Sequence, residues 1–239
     1  MTINEIEFVS EPTVRTIAVS RPVDDAGFSN IDLLPVNAAR VSASGFSTEF
    51  SARDSGLERR LINDLHGTPF EHATMTFFIE VPLFVNAQWH THRWSSFNQE
   101  SARYTEMKPR FYLPEEDNWR LKPEKRMDYK YDPACESLGS KARFIVQSMN
   151  ESAWEDYQIL LSNGIAREQA RVVLPENLMT RFWWTANLRS LANFLSLRTD
   201  EHAQKEIRDA AFLVEKEVEK YFPEFHKAWT ESGRKAIGA

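Results

Sequence analysis

"QWHTHRWSSFNQESARYTE", residues 88–106, is the segment of this chain richest in polar and aromatic side chains. It holds two His, two Arg, three Ser, two Gln, one Asn and two Trp within nineteen positions. A buried helix or strand has no use for this mixture, because each polar group taken out of water needs a hydrogen-bond partner. A ligand site does need it, with polar groups that fix orientation and rings that form walls.

The residue types in this segment suit a flat, phosphorylated ligand. Hydroxyls and guanidiniums donate to phosphate oxygens, amides read the edge of a ring, and aromatic side chains wall it. The predicted phosphate donors are Arg93, Ser96, Ser101 and Arg103, the edge readers are Gln88, Asn98 and Gln99, and the walls are Trp89, Trp94, Phe97 and Tyr104.

Length and charge place the chain among ordinary globular proteins. Its 239 residues suit one domain over 1–239, and 42% hydrophobic and 27% charged residues are typical of that class. The net charge of −6 argues against a general nucleic-acid binder. A single cysteine, Cys135, excludes an internal disulfide and a four-thiolate zinc site. We therefore expect a reducing, cytoplasmic location and no nucleic-acid partner.

No segment is predicted to enter a membrane. The first residues, "MTINEIEFVSEP", lack the basic and apolar regions of a signal peptide. The longest apolar stretch, 77–85, is broken by Glu80 and Pro82. We therefore expect no membrane partner.

The hydrophobic periodicity predicts a mainly helical α+β domain with a small β-sheet. Ser55 and Glu58 form a possible capping box in "DSGLERRLINDL". The charged, proline-containing stretch 114–133 is read as an exposed loop. Strands are expected at 3–10, 14–22 and 75–81, and helices at 37–42, 54–65, 83–93, about 138–160, 166–173, 187–198 and 200–221.

A second polar segment lies at 166–207. On a helix that begins near Asn187, Arg189 and Asn193 are four residues apart and share one face. Arg198 ends that helix. Surface salt bridges would also explain this polar face. The buried side is expected to hold Leu188, Leu191, Phe194 and Leu195.

Other site classes are less well supported. His66, His72, His90 and His92 fall within 27 positions, but the helical His-Glu-x-x-His pair of zinc enzymes is absent, so no metal is expected. A Gly-x-Ser-x-Gly elbow and a Gly-x-Gly-x-x-Gly loop are also absent.

The sequence resembles the flavin-dependent thymidylate synthases. Their signature is Arg-His-Arg, seven residues, then Ser. Here Thr91-His92-Arg93, seven residues and Ser101 follow that pattern and continue as "ARY". The segments "AARVS" (38–42), "HGTPFEH" (66–72) and 170–198 are similar to the same family and occur in family order.

The resemblance implies a fold, an activity and an assembly. The fold is that of the thymidylate synthase complementing proteins. The activity is reductive methylation of dUMP to dTMP, with methylenetetrahydrofolate as carbon donor, NADPH as reductant and a bound FAD between them. The assembly is a homotetramer with active sites between subunits.

The resemblance also implies roles for individual residues. Arg198 matches the catalytic residue that stabilises the ionised uracil. The positions that match dUMP-binding residues are Gln88, Thr91, Gln99, Glu100, Ser101, Ala102, Arg103, Arg171 and Arg198. Those that match FAD-binding residues are Ser42, Thr68, Thr91, His92, Arg93, Gln99, Asn187, Arg189 and Asn193.

Two positions depart from the family pattern. Thr91 replaces the first Arg of the signature, and Gln99 replaces the usual Glu. Both changes alter charge where flavin and nucleotide meet. They leave open a relative with weakened activity, one that takes another pyrimidine substrate, or one that binds flavin or nucleotide without turnover.

Overall fold

The computed structural model describes residues 5–42, 45–125 and 129–238. The predicted α+β fold with a small sheet is confirmed. The strands are β1 Glu7–Val9, β2 Thr13–Val19, β3 Thr74–Pro82, β4 Ser95–Gln99, β5 Arg110–Tyr112 and β6 Met179–Asn187. The helices are α1 Leu33–Arg40, α2 Ala52–Asn63, α3 Leu83–Trp89, α4 Glu136–Ser162, α5 Arg167–Ala170, α6 Leu188–Arg198, α7 Lys205–Tyr221 and α8 Pro223–Glu231.

Three short 3₁₀ segments lie between these elements, at Thr68–His72, Glu116–Asn118 and Arg171–Val173. Within the described ranges, no helix is both long enough and apolar enough to cross a membrane.

The chain divides into two compact units. The first unit comprises the chain up to Pro12, Glu80–Gln88 and Gln99–Arg181. The second unit comprises Thr13–Ile79, Trp89–Asn98 and the chain from Phe182 onwards. Compact units occur within single domains as well as between domains, so one domain over 1–239 stays a prediction.

The first unit packs α4 against a two-stranded parallel sheet. β1 pairs with β5, with Phe8 opposite Phe111. Phe111 also joins Trp154 and Tyr157 of α4 in a buried cluster. The predicted exposed stretch 114–133 is largely exposed where it is described, and residues 126–128 lie outside the described chain.

The long helix α4 was predicted correctly, but its apolar side faces outward. The buried residues of α4 are Gly139, Asn150, Trp154 and Tyr157. The apolar residues of this helix repeat every three or four positions, which predicts a stripe that faces the core (Leu138, Ala142, Ile145, Met149, Ala153, Tyr157 and Leu160). Of these, Leu138, Ile145 and Met149 are exposed. Helical spacing puts these three residues on one side of the helix. The stripe prediction is therefore wrong for these three residues, whereas Tyr157 of the same predicted stripe is fully buried and Leu160 packs against the core.

The second unit is built around a four-stranded sheet of order β2-β3-β6-β4. Trp184 of β6 stacks on Phe77 of β3, with ring centroids 5.5 Å apart. Trp89 meets Trp184 edge-on at 5.3 Å, and Phe194 of α6 packs against both rings. This aromatic core supports the start of α6.

The beginning of α2 differs from the prediction. The capping box is formed by Ser51 and Asp54, not by Ser55 and Glu58. Asp54 also pairs with Arg40 of α1 at 2.6 Å. Glu58 lies one turn further on and is fully buried. Neither of its carboxylate oxygens has a hydrogen-bond partner among the described residues.

Candidate ligand-binding site

A cavity of about 290 Å³ lies in the second unit, beside the start of α6. We call it the α6 pocket. Its walls combine cations, hydroxyls, an amide and indole rings, a mixture suited to a ligand with polar and flat parts. The lining residues are Thr91, His92, Arg93, Trp94, Ser95, Trp184, Arg189, Ser190, Asn193 and Gly238.

The N-terminal cap of α6 fixes the positions of residues that line the α6 pocket. Asn187 is the N-cap residue, and its side chain accepts a hydrogen bond from the Ser190 N–H at 2.9 Å. The Ser190 hydroxyl donates to the main-chain oxygen of Trp94 at 2.6 Å. The predicted buried side of α6 is confirmed, since Leu188, Leu191, Phe194 and Leu195 are fully buried. Arg189 and Asn193 therefore face the pocket.

Arg189 is held on several sides. Its Nη1 donates to Glu71 at 2.5 Å. Its Nε and Nη2 donate to the main-chain oxygens of Ile237 and Gly238. Its guanidinium carbon lies 4.7 Å from the ring centroid of Trp94. Glu71 offsets the positive charge of Arg189, whereas none of the ion pairs among described residues involves Arg93.

Arg198 and His92 form the second polar group of this unit. Arg198 donates from Nε to Nε2 of His92 at 3.0 Å and from Nη2 to the Thr91 hydroxyl at 3.3 Å. Burial lowers the pKa of His92 to about 4, and the charge of Arg198 adds to this effect. His92 is therefore a neutral acceptor at Nε2, which places its ring proton on Nδ1.

The first unit holds the other group of predicted site residues. Gln99 accepts from Asn86 Nδ2 at 3.1 Å and donates to the Thr180 hydroxyl at 2.9 Å. Asn86 and Thr180 are both buried. Glu100 pairs with Arg181 at 2.8 Å. The amide of Gln99 is thus fixed by two buried partners.

The remaining predicted residues of the first unit lie nearer the surface. Arg103 pairs with Glu168 of α5 at 3.1 Å, and both side chains are more than half exposed. Arg171 follows three positions after Glu168 and is also exposed. Gln88, Ser101 and Ala102 are half-buried.

The structure brings together part of the predicted flavin set. Thr91, His92, Arg93, Arg189 and Asn193 line the α6 pocket, and Asn187 caps its helix. Ser42 and Thr68 are exposed and are not among the lining residues of the described chain. Gln99 belongs to the first unit. Sequence reasoning missed Ser95, Trp184, Ser190 and Gly238, and it missed the role of Glu71.

The predicted aromatic walls need correction. Trp89 is fully buried in the core and cannot touch a ligand, whereas Trp94 is 65% exposed at the pocket. Phe97 stacks on His90, with centroids 4.3 Å apart. Tyr104, in the first unit, is exposed. Within the described ranges, no three His, Cys, Asp or Glu side chains are placed to hold a metal ion.

Comparison with known proteins identifies relatives over most of the chain. The family model described as "Thymidylate synthase complementing protein" matches residues 28–224. A flavin-dependent thymidylate synthase of Thermosipho africanus is 43% identical over 183 residues, which cover 77% of this chain and 79% of that protein. Its counterpart in Tropheryma whipplei is 37% identical over 243 residues, which cover 96% of both chains.

Solved structures are also similar to this chain over nearly its whole length. The UMP/dUMP methylase PolB from Streptomyces cacaoi, bound with 5-Br UMP, is 37% identical and superposes with a TM-score of 0.85. That match covers 97% of this chain and 99% of PolB. The same enzyme bound with 5-Br dUMP gives a TM-score of 0.86, with 97% and 100% covered.

Proposed function

The chain belongs to the thymidylate synthase complementing protein family, and on this premise we propose that it is a flavin-dependent thymidylate synthase that methylates dUMP to dTMP. We further propose FAD as the bound cofactor, methylenetetrahydrofolate as the carbon donor and NADPH as the reductant. The observation that carries the proposal is the α6 pocket, where Thr91, His92 and Arg93 of the signature meet Arg189 and Asn193.

The side chains of the α6 pocket fit a flavin nucleotide. Arg93 lies exposed in the wall and offers a cation to phosphate, and the amide nitrogen of Asn193 can donate a hydrogen bond. The hydroxyls of Ser95 and Ser190 already donate to main-chain oxygens, so they can only accept from a ligand. Trp94, which is 65% exposed, adds flat apolar surface for a ring, whereas Trp184 lies fully buried behind the wall. When bound, a flavin supplies the redox chemistry that ordinary side chains lack.

Arg198 is the proposed catalytic residue. Addition of hydride to a uracil builds negative charge on the ring amide, and a fixed guanidinium stabilises that charge most in the transition state. His92 and Thr91 accept two hydrogen bonds from Arg198 and so restrict its orientation. Because His92 is neutral, it fixes the guanidinium without adding a like charge beside it.

The residues of the first unit are proposed to bind the nucleotide. Arg103 and Arg171 supply positive charge for a phosphate, and Ser101 supplies a hydroxyl. Gln99 is proposed to present a neutral amide to the edge of the pyrimidine. The family usually has a carboxylate at this position. Gln88, Glu100 and Ala102 are the other members of the proposed dUMP set in this unit.

Tritium release tests this function directly. Purified enzyme is incubated with dUMP labelled with tritium at carbon 5, together with FAD, NADPH and methylenetetrahydrofolate. We expect tritium in water and dTMP as product, and release should stop when any one of the four is omitted. Flavin binding without tritium release would instead support a nucleotide-binding relative that has lost turnover.

UMP is the second candidate substrate. PolB, which is similar over 97% of this chain, is named a UMP/dUMP methylase. Running the same assay with labelled UMP, alone and in competition with dUMP, ranks the two nucleotides by kcat/KM. A higher value for UMP would replace dUMP as the proposed substrate.

A homotetramer with active sites between subunits is the proposed assembly. The exposed apolar side of α4, formed by Leu138, Ile145 and Met149, supports self-association because exposed apolar patches often mark interfaces. Ile145→Glu should shift the sedimenting species towards smaller assemblies. Glu151→Lys, a charge change on another exposed face of the same helix, is the control. An unchanged species in Ile145→Glu would remove α4 from the interface.

A further inference from the structure

The last described residues of the chain bond to two residues that line the α6 pocket. Arg189 donates from Nε to the Ile237 oxygen at 3.1 Å and from Nη2 to the Gly238 oxygen at 2.9 Å. The Ile237 N–H donates to Asn193 Oδ1 at 2.8 Å. The family match ends at residue 224, so this segment lies beyond the matched residues.

The segment is packed in place. The side chain of Ile237 is fully buried. Two residues earlier, the main-chain oxygen of Lys235 accepts from the indole Nε1 of Trp229 at 2.9 Å. Burial of an isoleucine opposes release of this segment into solvent. It is therefore a fixed part of the second unit and not a strap that leaves the pocket when a ligand binds.

Two glycines leave space for the guanidinium of Arg189. A Cβ atom at Gly67 would lie 2.6 Å from Arg189 Nε, closer than van der Waals contact allows. Gly238 has a φ of +64°, which disfavours other residues, and a Cβ atom there would lie 3.1 Å from Arg189 Nη2. A side chain at either position would push Arg189 from its place.

The contacts surround the guanidinium. Glu71 binds Nη1, the carbonyls of Ile237 and Gly238 bind Nε and Nη2, and the Trp94 ring lies alongside. Three of its five N–H groups therefore donate to described residues. A guanidinium held in this way loses little further freedom when a ligand binds, and such pre-organisation strengthens binding.

We propose that Ile237 and Gly238 are positioning residues of the flavin pocket. Their carbonyls, with Glu71 on another nitrogen, hold Arg189 against Trp94, and the Ile237 N–H orients the amide of Asn193. The carbonyls act through Arg189. This inference rests on the proposed function and adds to it a segment outside the matched family region.

A double-mutant cycle on flavin affinity tests the proposal. One variant ends at Lys235, one is Arg189→Ala, and the third combines both changes. FAD is titrated into each flavin-free protein, and the quenching of flavin fluorescence gives Kd. We expect the shortened chain to bind about tenfold more weakly. When Arg189 is absent, the same truncation should raise Kd by a clearly smaller factor, because only the contact with Asn193 is then lost.

Ile237→Ala is the milder variant, since it shortens the buried side chain that holds the segment in place but keeps every main-chain carbonyl. It should raise Kd less than the truncation does. Glu231→Gln, at an exposed ion pair with Arg59, is the control and should leave Kd unchanged. Thermal melting of each flavin-free protein shows that it is folded.

Four outcomes would overturn the inference. Unchanged affinity in both the truncated chain and Ile237→Ala would show that the segment does not support the pocket. Tighter binding after truncation would show that the segment competes with the flavin. An equal loss with and without Arg189 would show a general structural role. Wild-type protein that binds no flavin would overturn the proposed function, and this inference with it.

Discussion

Arg198 donates from Nε to Nε2 of His92 at 3.0 Å, although the two residues are 106 positions apart in the chain. His92 belongs to the segment just before β4, and Arg198 is the last residue of α6. The bond requires His92 to be unprotonated at Nε2, which agrees with its lowered pKa. The signature segment and the proposed catalytic residue are therefore joined by a hydrogen bond.

Replacing Arg198 tests its proposed role in turnover. Arg198→Ala should lower the rate of tritium release by about a hundredfold or more, the usual effect of losing one donor to a developing anion. Flavin content should change little. Arg59→Ala, at an exposed ion pair, serves as the control. Near wild-type turnover in Arg198→Ala would refute the assignment.

Acidification should destabilise the protein through His92. The unfolded chain binds a proton at this residue near pH 6.5, whereas the folded chain binds it only near pH 4. Falling pH between these values therefore favours the unfolded state. Urea denaturation from pH 7 to pH 4.5 should show a shallower loss of stability in His92→Gln than in wild type. Identical slopes would contradict the lowered pKa.

An arginine at position 91 should reduce turnover, although it restores the family signature. Sequence alone suggests that this change would strengthen ligand binding. The Thr91 hydroxyl, however, accepts a hydrogen bond from Arg198. Thr91→Arg removes that acceptor and adds a like charge beside the proposed catalytic residue. Thr91→Ser keeps the hydroxyl and should stay close to wild type. Faster tritium release in Thr91→Arg would show that the family residue is compatible with this site.

The partners of Gln99 should tolerate a carboxylate but not an apolar side chain. Asn86 donates to Gln99, and the Thr180 hydroxyl can reverse its role and donate as well. Gln99→Glu should therefore keep the fold. Gln99→Leu leaves two buried polar groups without partners and should lower the free energy of unfolding by about 1–3 kcal/mol. Urea denaturation at pH 7 compares the two, and equal stability would argue against the network.

Glu58 should make the protein less stable as pH rises. Burial raises its pKa well above the ordinary 4.5, and the nearby carboxylates of Asp32, Glu224 and Asp54 add to this effect. The unfolded chain loses this proton first, so stability falls from about pH 4.5 up to the folded pKa. Glu58→Gln should increase the free energy of unfolding at pH 8 and flatten that fall. Glu231→Gln is the control, and a loss of stability in Glu58→Gln would contradict the prediction.

The elements that sequence predicted best have strong periodicity or clear ends. The spacing of apolar residues indicated α4 and α6, and Pro82 marked the start of α3 correctly. Pro223 follows the helix expected at 200–221 and so favours its end, but it also occupies the first position of α8, which the periodicity did not predict. β4 was missed because its sequence, "SSFNQ", has one apolar residue in five and therefore lacks the alternating signal of a strand.

Burial was harder to predict than helix or strand. Trp89 and Trp94 are five residues apart in the same polar segment, yet one is in the core and the other is at the pocket. That difference depends on Phe182, Trp184 and Phe194, which are distant in sequence. The outward face of α4 was missed for a related reason, because periodicity shows that a face is apolar but not what covers it.

The hydrogen bonds from Arg189 to Ile237 and Gly238 also affect when the α6 pocket is completed during synthesis of the chain. Synthesis proceeds from the N-terminus, and Arg189 is added to the chain about fifty residues before these carbonyls exist. Throughout that interval the guanidinium lacks two of its acceptors. A nascent chain can thus complete its sheet and α6 before the pocket has its final form, and the cofactor would meet a finished site only after Gly238 has been added and has reached Arg189.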